Sequence, residues 1–452
     1  MNEYIFREYD IRGVVKDDFS TDLVVNLGKA FGTYLYNNNQ NKLSISGDVR
    51  HTTEKLKNDF IKGVLSVGID VYDMGILPTP INYFSLFNTG ILNSVQVTGS
   101  HNPSEYNGFK LSYNKLPFYG DSIQYLKEII LNKAYVKSNK LGFLKNINVI
   151  DDYSQYIKKD ITINRSIKVA MDCGNAVGGI IAPQLFDDLN IDVQKIYCDV
   201  NPDFPNHHPD PTVDDNLVDL INCVVENDCD LGIAYDGDAD RVIAIDELGN
   251  IVRSDILISL FVNDIINKDD SVVYDVKCSR SLEDTIKKVE GIPILCKTGH
   301  SHIKNKMYET NSKVGGEMSG HIFFSHRYFG FDDGIYVSLR LVELIVDSNK
   351  KLSELVSFIP KYQSTPEIRI ECENDLTKDS ITKKAIDYFK NKYICDETDG
   401  VKIMFENGWG LVRASNTQPV IVCRFEADNE NNLEIIQKEI LNKLRDFGVI
   451  YV

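Results

Sequence analysis

Apolar segments of strand character alternate with segments of helical period along most of the chain, and the alternation starts afresh after residue 151 and again after residue 249. The first series predicts strands at 42–47, 70–74 and 93–98 with helices at 54–67 and 81–87. The second predicts strands at 168–172, 193–197, 230–235 and 242–246, a glycine-rich turn at 174–179 leading into a helix that ends at 189, and a helix near 216–226. The third predicts helices at 255–267, 281–288 and 333–348 around strands at 271–276 and 294–297. A parallel strand pair needs a long crossover, usually a helix, so alternation of this kind points to α/β units with mixed, mainly parallel sheets. From about residue 366 the pattern changes: strands at 367–371, 402–405, 410–414 and 420–427, with helices near 378–391 and 432–447, describe a smaller α+β domain. The expected fold is three consecutive α/β domains, 1–150, 151–250 and 251–364, and an α+β domain at 365–452. Four units of roughly 100 residues also suit a chain too long for a single core. The short polar link Ser364-Thr365-Pro366 is the expected hinge of a mobile last domain.

Charge narrows the partners. Asp and Glu number 66 against 49 Lys and Arg, a net charge of −17, which disfavours nucleic acid and anionic membrane. No run approaches the roughly 18 apolar residues of a membrane helix, and residues 1–13 lack the apolar core of a signal peptide. The cytoplasm is therefore expected. Nine cysteines are scattered without a Cys-x-x-Cys pair, as expected of reduced, mostly buried thiols.

Four short segments carry chemistry. Thr98-Gly99-Ser100-His101-Asn102-Pro103 follows a predicted strand, and ligands of α/β sheets collect beyond the carboxyl ends of strands. Ser100 is offered there beside His101, although a capping serine in a polar turn reads the same way. In Asp236-Gly237-Asp238-Ala239-Asp240-Arg241, acids at alternate positions can converge on one hard cation. An EF-hand is excluded because Arg241 stands at the sixth position, where glycine is needed, and the flanks are strand-like. A tight hairpin turn is the alternative without function. Gly315-Gly316-Glu317-Met318-Ser319-Gly320-His321 pairs an acceptor with a hydroxyl, which suits a sugar diol. Arg413-Ala414-Ser415-Asn416-Thr417-Gln418-Pro419, with Arg424 on the next strand, suits a phosphate clasp or an ordinary polar turn. Arg7, Arg12, Lys110, Lys277, His300 and Lys304 are isolated basic residues, which are commonly just solvated. The turn at 174–179 is neither a Walker A nor a complete dinucleotide fingerprint.

Taken in order, FREYDIRG, TGSHNP, NGFK, FPNHHPDP, DGDADR, KTGHSHIK, GEMSGH and RASNTQP span Phe6 to Arg424 and resemble the α-D-phosphohexomutases from end to end. Glu-Met-Ser-Gly-His is similar to the bacterial phosphomannomutase/phosphoglucomutase branch; phosphoglucosamine mutases usually carry glutamine at the position of Met318. Gly99 stands where many members have alanine, and Gln418 where many have glutamate. The resemblance implies four domains around a central cleft and interconversion of hexose 1- and 6-phosphates through a phosphoserine and a hexose 1,6-bisphosphate, which also serves as activator. It implies that Ser100 is phosphorylated and that Asp236, Asp238 and Asp240, with a phosphoserine oxygen, hold Mg2+. Glu317 and Ser319 match sugar contacts, and Arg413, Ser415, Asn416, Thr417 and Arg424 the phosphate clasp. Arg12, Lys110, Arg241, Lys277, His300 and His321 match other cleft residues, proton-transfer groups among them; His101 joins the catalytic set and Tyr9 the substrate-binding set. The implied partner is a small phosphosugar, the implied state a monomer or small homo-oligomer. The alternatives are a phosphoglucosamine mutase and a catalytically silent phosphosugar-binding protein; Ser100, the three aspartates and Arg241 argue against the latter.

Overall fold

The computed structural model describes residues 2–415 and 418–449. Over them the chain forms two compact units: one runs to Leu257 and takes in Ser319–Ser357, the other holds Ile258–Met318 and resumes at Phe358.

In the first unit, a seven-stranded sheet has the order Ile11–Val14, Tyr106–Tyr113, Ser94–Val97, Lys42–Gly47, Asp70–Ile76, Leu144–Asn146, with Leu116–Pro117 paired to Tyr106–Tyr113. Lys42–Gly47 lies parallel to Asp70–Ile76 and Ser94–Val97, whereas Tyr106–Tyr113 runs antiparallel to Ser94–Val97 and Ile11–Val14. Ser94–Val97 is buried throughout, as a strand covered on both faces must be. The helices Thr21–Asn37 and Thr53–Ser66 pack on each other, and Phe31, Phe60 and Phe109 anchor the core beneath them. This topology sends residues 48–53 and 98–103 out at one edge, because the strands before them are parallel neighbours.

A second sheet, five-stranded, has the order Ile251–Val252, Val242–Asp246, Leu231–Tyr235, Lys168–Asp172, Asp192–Ile196. Leu231–Tyr235 and Val242–Asp246 form an antiparallel hairpin with Tyr235 opposite Val242, so residues 236–241 are its loop. The helix Gly334–Ser348 packs on this hairpin. Asp333 caps it, accepting from Tyr336 N at 2.9 Å and from the hydroxyls of Tyr153 and Tyr328 at 2.9 and 2.7 Å. Burial pushes the Asp333 carboxyl up to about 6 despite those donors.

In the second unit, Ser271–Asp275 pairs in parallel with Ile292–Cys296 and Val314–Gly316. The C-terminal segment forms an antiparallel sheet in the order Gln363–Ser364, Val420–Ala427, Gly408–Ala414, Val401–Phe405, Ile394–Asp396, with Ile368–Glu371 also on Val420–Ala427. Helices Asp375–Phe389 and Glu430–Asp446 close its core through Ile381, Phe389, Ile440 and Leu444. The architecture is thus three mixed α/β sheet regions and an α+β region, in the order the sequence pattern predicts.

Three differences from that pattern are instructive. Helices Thr21–Asn37, Asp121–Leu131 and Ile150–Asp160, and the strand Tyr106–Tyr113, lie in stretches to which the periodicity assigned nothing. The turn at 174–179 runs into a 3-10 turn, Val177–Ile180, before the helix Ala182–Asp188 begins. The expected hinge is not a free linker: Gln363 and Ser364 pair with Ala427 and Glu426, and Thr365 N donates to Phe425 O at 3.0 Å. The same sheet is tied to residues after Ser271–Asp275, because Lys402 Nζ donates to Val276 O at 3.1 Å and lies 4.0 Å from the Trp409 ring. All nine cysteines are free thiols. Among the described residues, no helix is long and apolar enough to cross a membrane.

Candidate active site

Ser100 sits at the carboxyl tip of Ser94–Val97 with φ +49°, a left-handed conformation uncommon outside glycine. Its amide donates to Thr98 Oγ1 at 2.8 Å, and Asn102 N donates to Gly99 O at 2.9 Å, closing a tight loop. The hydroxyl is directed at the acid loop: Ser100 Oγ donates to Asp236 Oδ2 at 3.1 Å and lies 3.1 Å from His101 Nδ1. Gly237 allows this approach, since a Cβ there would stand 2.3 Å from the Ser100 carbonyl oxygen.

Asp236, Asp238 and Asp240 are fully buried, and each offers a carboxylate oxygen within 4.8 Å of the others'. Three buried carboxylates need counter-charge. Lys110 Nζ stands 2.7 Å from Asp238 Oδ2 and 2.5 Å from Asp240 Oδ2. Arg241 Nε stands 2.9 Å from Asp236 Oδ2, and Thr79 Oγ1 donates to Asp238 Oδ2 at 2.5 Å. One oxygen each of Asp238 and Asp240, the Oδ1 atoms, is buried without a hydrogen-bond partner. Hard oxygen donors in excess of local positive charge fit a divalent cation such as magnesium. Burial pushes the Asp236 carboxyl up to about 7 against the pull of Arg241. Burial would lower Lys110, but Asp238 and Asp240 outweigh it and hold the ammonium well above its ordinary range. Burial, then Arg241 and Arg12, holds His101 well below the usual histidine range, so its ring is neutral beside the Ser100 hydroxyl.

Further cations converge here. Arg12, opposite Gly108 in the sheet, donates to Asn102 Oδ1 at 2.6 Å and pairs with Asp10 at 2.5 Å, while its Nε is buried without a partner. Arg241 lies 3.4 Å from Asp210, and its Nη2 is likewise without a partner. His321 Nδ1 lies 3.0 Å from Asp332 Oδ2 and 3.5 Å from Asp240 Oδ1. The first unit thereby brings together Ser100, His101, Arg12, Lys110, the three aspartates, Arg241 and His321. Tyr9 is half-buried in the bend before Ile11–Val14, and Ser319 opens the returning segment of this unit.

The second unit gathers the other predicted residues. Lys277 Nζ stands 3.2 Å from Glu367 Oε2, and its carbonyl accepts from Arg424 Nη1. Arg413 Nε stands 2.8 Å from Asp399, which also accepts from Thr298 N at 3.1 Å. The adjoining Gly299 N donates to the buried Glu317, and the buried His300 opens the helix His300–Thr310. Ser415 is held by its amide to Val420 O at 2.8 Å and by its carbonyl to Lys378 Nζ at 2.8 Å. Asn416 and Thr417 lie outside the described residues. Sequence reasoning missed the partners: Asp48, Arg50, Thr79, Asp332, Glu367 and Asp399 belong to none of the motifs read from the sequence, and Asp210, within FPNHHPDP, was given no role there.

Glu367 carries a testable pH dependence. The Lys277 ammonium holds its carboxyl down to about 2, below the roughly 4.3 of an unfolded glutamate. The pair's contribution is therefore complete above about pH 4.3 and lost as pH falls toward 2. Glu367→Gln is expected to cost about 2–3 kcal/mol at pH 7, with the gap to the parent narrowing below pH 4. Urea melts of both proteins at pH 7 and pH 3 check this; an equal gap at both values rejects it.

Four family models match the chain in series. They are described as phosphoglucomutase/phosphomannomutase alpha/beta/alpha domains I, II and III, over residues 3–136, 151–249 and 253–362, and the C-terminal domain, over 367–443. The chain belongs to the phosphoglucomutase/phosphomannomutase family. This phosphohexomutase is 40% identical over 443 residues to the phosphomannomutase/phosphoglucomutase of Pseudomonas aeruginosa, covering 98% of this chain and 95% of the relative. It is 38% identical over 441 residues to a phosphoglucomutase of Neisseria meningitidis serogroup A, covering 96% and 95%. Its structure is similar to the crystal structure of a phosphoglucomutase/phosphomannomutase family protein of Burkholderia thailandensis, with TM-score 0.92 and 34% identity over 100% of this chain and 99% of that one. The fold extends to Aspergillus fumigatus N-acetylphosphoglucosamine mutase, solved in complex with GlcNAc-6P and magnesium, at TM-score 0.60 and 15% identity over 95% and 94% of the chains. The protein is a hexose phosphate mutase of the bacterial branch.

Proposed function

We propose that this mutase interconverts the 1- and 6-phosphates of mannose and glucose through a phosphorylated Ser100. The observation that carries the reading is the aim of Ser100 Oγ at Asp236, 3.1 Å away, beside carboxylate oxygens of Asp238 and Asp240 that lack hydrogen-bond partners. Asp236, Asp238, Asp240 and an oxygen of the phosphorylated Ser100 would hold magnesium, the ion with which the Aspergillus mutase was solved. Bound there, it would neutralise charge on the phosphoryl oxygens.

The remaining chemistry belongs to the side chains. A substrate hydroxyl oxygen bonds to the phosphorus of phosphorylated Ser100 as the P–Oγ bond breaks, giving a hexose 1,6-bisphosphate. The hydroxyl proton passes to an imidazole; His321, whose Nδ1 lies 3.0 Å from Asp332 Oδ2, is the ring assigned to take it. The Ser100 oxygen is left among Arg12, Lys110 and Arg241, which offset its developing charge. In the second transfer the other phosphate of the bisphosphate moves to Ser100, and the proton returns to the sugar oxygen. Arg413, Ser415 and Arg424, with Asn416 and Thr417, grip the phosphate that is not transferring. Lys277, His300, Glu317, Ser319 and Tyr9 contact the sugar and its phosphate. Added hexose 1,6-bisphosphate would activate the enzyme by restoring lost phosphate. We take the chain as four domains, 1–150, 151–250, 251–364 and 365–452, working in the cytoplasm as a monomer or small homo-oligomer; nine free thiols accord with a reducing compartment.

A coupled assay across mannose, glucose and glucosamine 1-phosphates tests substrate choice; turnover of the glucosamine compound alone would make the protein a phosphoglucosamine mutase. Glu317→Ala is expected to lower kcat/KM about 10- to 100-fold on both mannose and glucose phosphates, because a sugar hydroxyl loses a buried acceptor. Unchanged kinetics on both sugars would take Glu317 out of the sugar contacts.

A further inference from the structure

Asp48 and Arg50, in the loop after Lys42–Gly47, form an ion pair with Nε 3.1 Å from Oδ2 and only 1% and 3% exposure. Arginine has five N–H groups, and here each meets an acceptor. Nε takes Asp48; Nη1 donates to the carbonyls of Pro103 at 2.6 Å and Tyr106 at 3.0 Å; Nη2 donates to those of Ser100 at 2.8 Å and Asn102 at 2.5 Å. Asp48 Oδ2 accepts from Thr98 Oγ1 at 2.8 Å and Gly99 N at 3.1 Å, and Oδ1 from Thr53 Oγ1 at 2.5 Å and Arg50 N at 3.0 Å. The Phe204 ring lies 5.5 Å from Arg50 Cζ and covers it.

These bonds fix the peptide planes around Ser100. The amide of Gly99 and, through Thr98 Oγ1, the amide of Ser100 are held to Asp48, and the carbonyl of Ser100 is held to Arg50. Such bracing accounts for the left-handed Ser100 backbone at φ +49°, which a side-chain-bearing residue seldom keeps without support. With the backbone fixed, Oγ stays aimed at Asp236. A buried ion pair is rarely needed for stability alone, and lysine cannot reproduce the planar fork.

We propose that Asp48 and Arg50 are the positioning pair for phosphate transfer, holding Ser100 in the orientation in which it gives and receives phosphate; this rests on the phosphoserine reading above. Neither residue binds substrate, since every Arg50 N–H is engaged within the loop and the ion pair. The pair therefore acts on kcat and not on KM.

The test uses the full-length enzyme. Arg50→Lys and Arg50→Ala are compared with the parent for kcat and KM on glucose 1-phosphate, for phosphate on Ser100 by intact mass after exposure to glucose 1,6-bisphosphate, and for hydrogen exchange across residues 98–107. Folded Arg50→Lys is expected to lose about 100-fold in kcat, the scale of a misplacement near 1 Å, with KM within about threefold, less phosphate on Ser100 and faster exchange in the loop. A cavity of about 370 Å³ reaches Asp48 and Arg50, so guanidinium ion is expected to restore at least about tenfold of the rate to Arg50→Ala. Should Arg50→Ala not fold, the lysine variant decides. A phosphorylated parent matched within twofold in kcat by Arg50→Lys, or a loss confined to KM, overturns the positioning role alone. A parent that takes no phosphate on Ser100 overturns the phosphoserine reading and the positioning role with it.

Discussion

Ser100→Ala is expected to lower turnover of mannose and glucose phosphates by about ten-thousandfold or more, as removal of a covalent acceptor does. In the proposed mechanism the other groups at the site orient or stabilise, and the Ser100 oxygen carries the phosphate between the two sugar positions. The fold should hardly notice. The lost hydroxyl makes side-chain bonds to Asp236 and His101, and Asp236 keeps its bonds from Arg241 Nε and N. A melting change equivalent to about 1–2 kcal/mol is expected, the net scale of a hydroxyl bond to a carboxylate. Intact mass before and after treatment with glucose 1,6-bisphosphate should show phosphate on the parent and none on the variant. Turnover within tenfold of the parent would end the assignment.

Removal of divalent cation should act on nearly the same scale. Asp236, Asp238 and Asp240 put three buried carboxyl groups against two cations, Lys110 and Arg241, an excess of acidic oxygens that a divalent ion would balance. A chelator is expected to reduce turnover by about a thousandfold or more, with recovery on added magnesium, since phosphoryl transfer depends on neutralising the equatorial oxygens. A readout independent of turnover follows: magnesium should raise the melting temperature of the parent, by the mass action of a ligand that binds only the folded form. Asp240→Asn should blunt that rise, because it removes a ligand charge and unbalances Lys110 and His321, which face Asp240 at 2.5 and 3.5 Å. A melting temperature indifferent to magnesium, together with chelator-resistant turnover, would rule the cation site out.

Much of the fold was legible because its determinants are local. The hairpin around the acid loop could be read from two apolar runs, and the structure has strands at Leu231–Tyr235 and Val242–Asp246 with the acids at the turn. The helix Thr21–Asn37 was not legible: its apolar residues are interrupted by Gly28 and Gly32, both buried, and glycine weakens a helical pattern. The strand Tyr106–Tyr113 was hidden because its middle reads as a basic motif ending in Lys110, although strands paired on both its sides leave that lysine buried. The link at Ser364-Thr365-Pro366 looked like a hinge from its polarity, yet the exposed Gln363 and Ser364 form an edge strand, where polar side chains cost nothing.

The same division holds for the candidate site. Residue types and their order along the chain were enough to establish which chemical groups are present and which segments bear them: a serine at a strand tip, three acids in one turn, and a family-wide series of motifs. The partners of those groups came from the fold alone. Ser100 meets Asp236 across 136 positions, and Lys110 meets Asp238 across 128. Arg50 was invisible as a functional residue, because an arginine bonded to backbone carbonyls leaves no pattern in the side chains around it. Hydrogen bonds and buried ion pairs act over a few ångströms, whereas separation along the chain says nothing about distance in space. Which cation meets which carboxylate is therefore fixed by how the sheets bring their loops together.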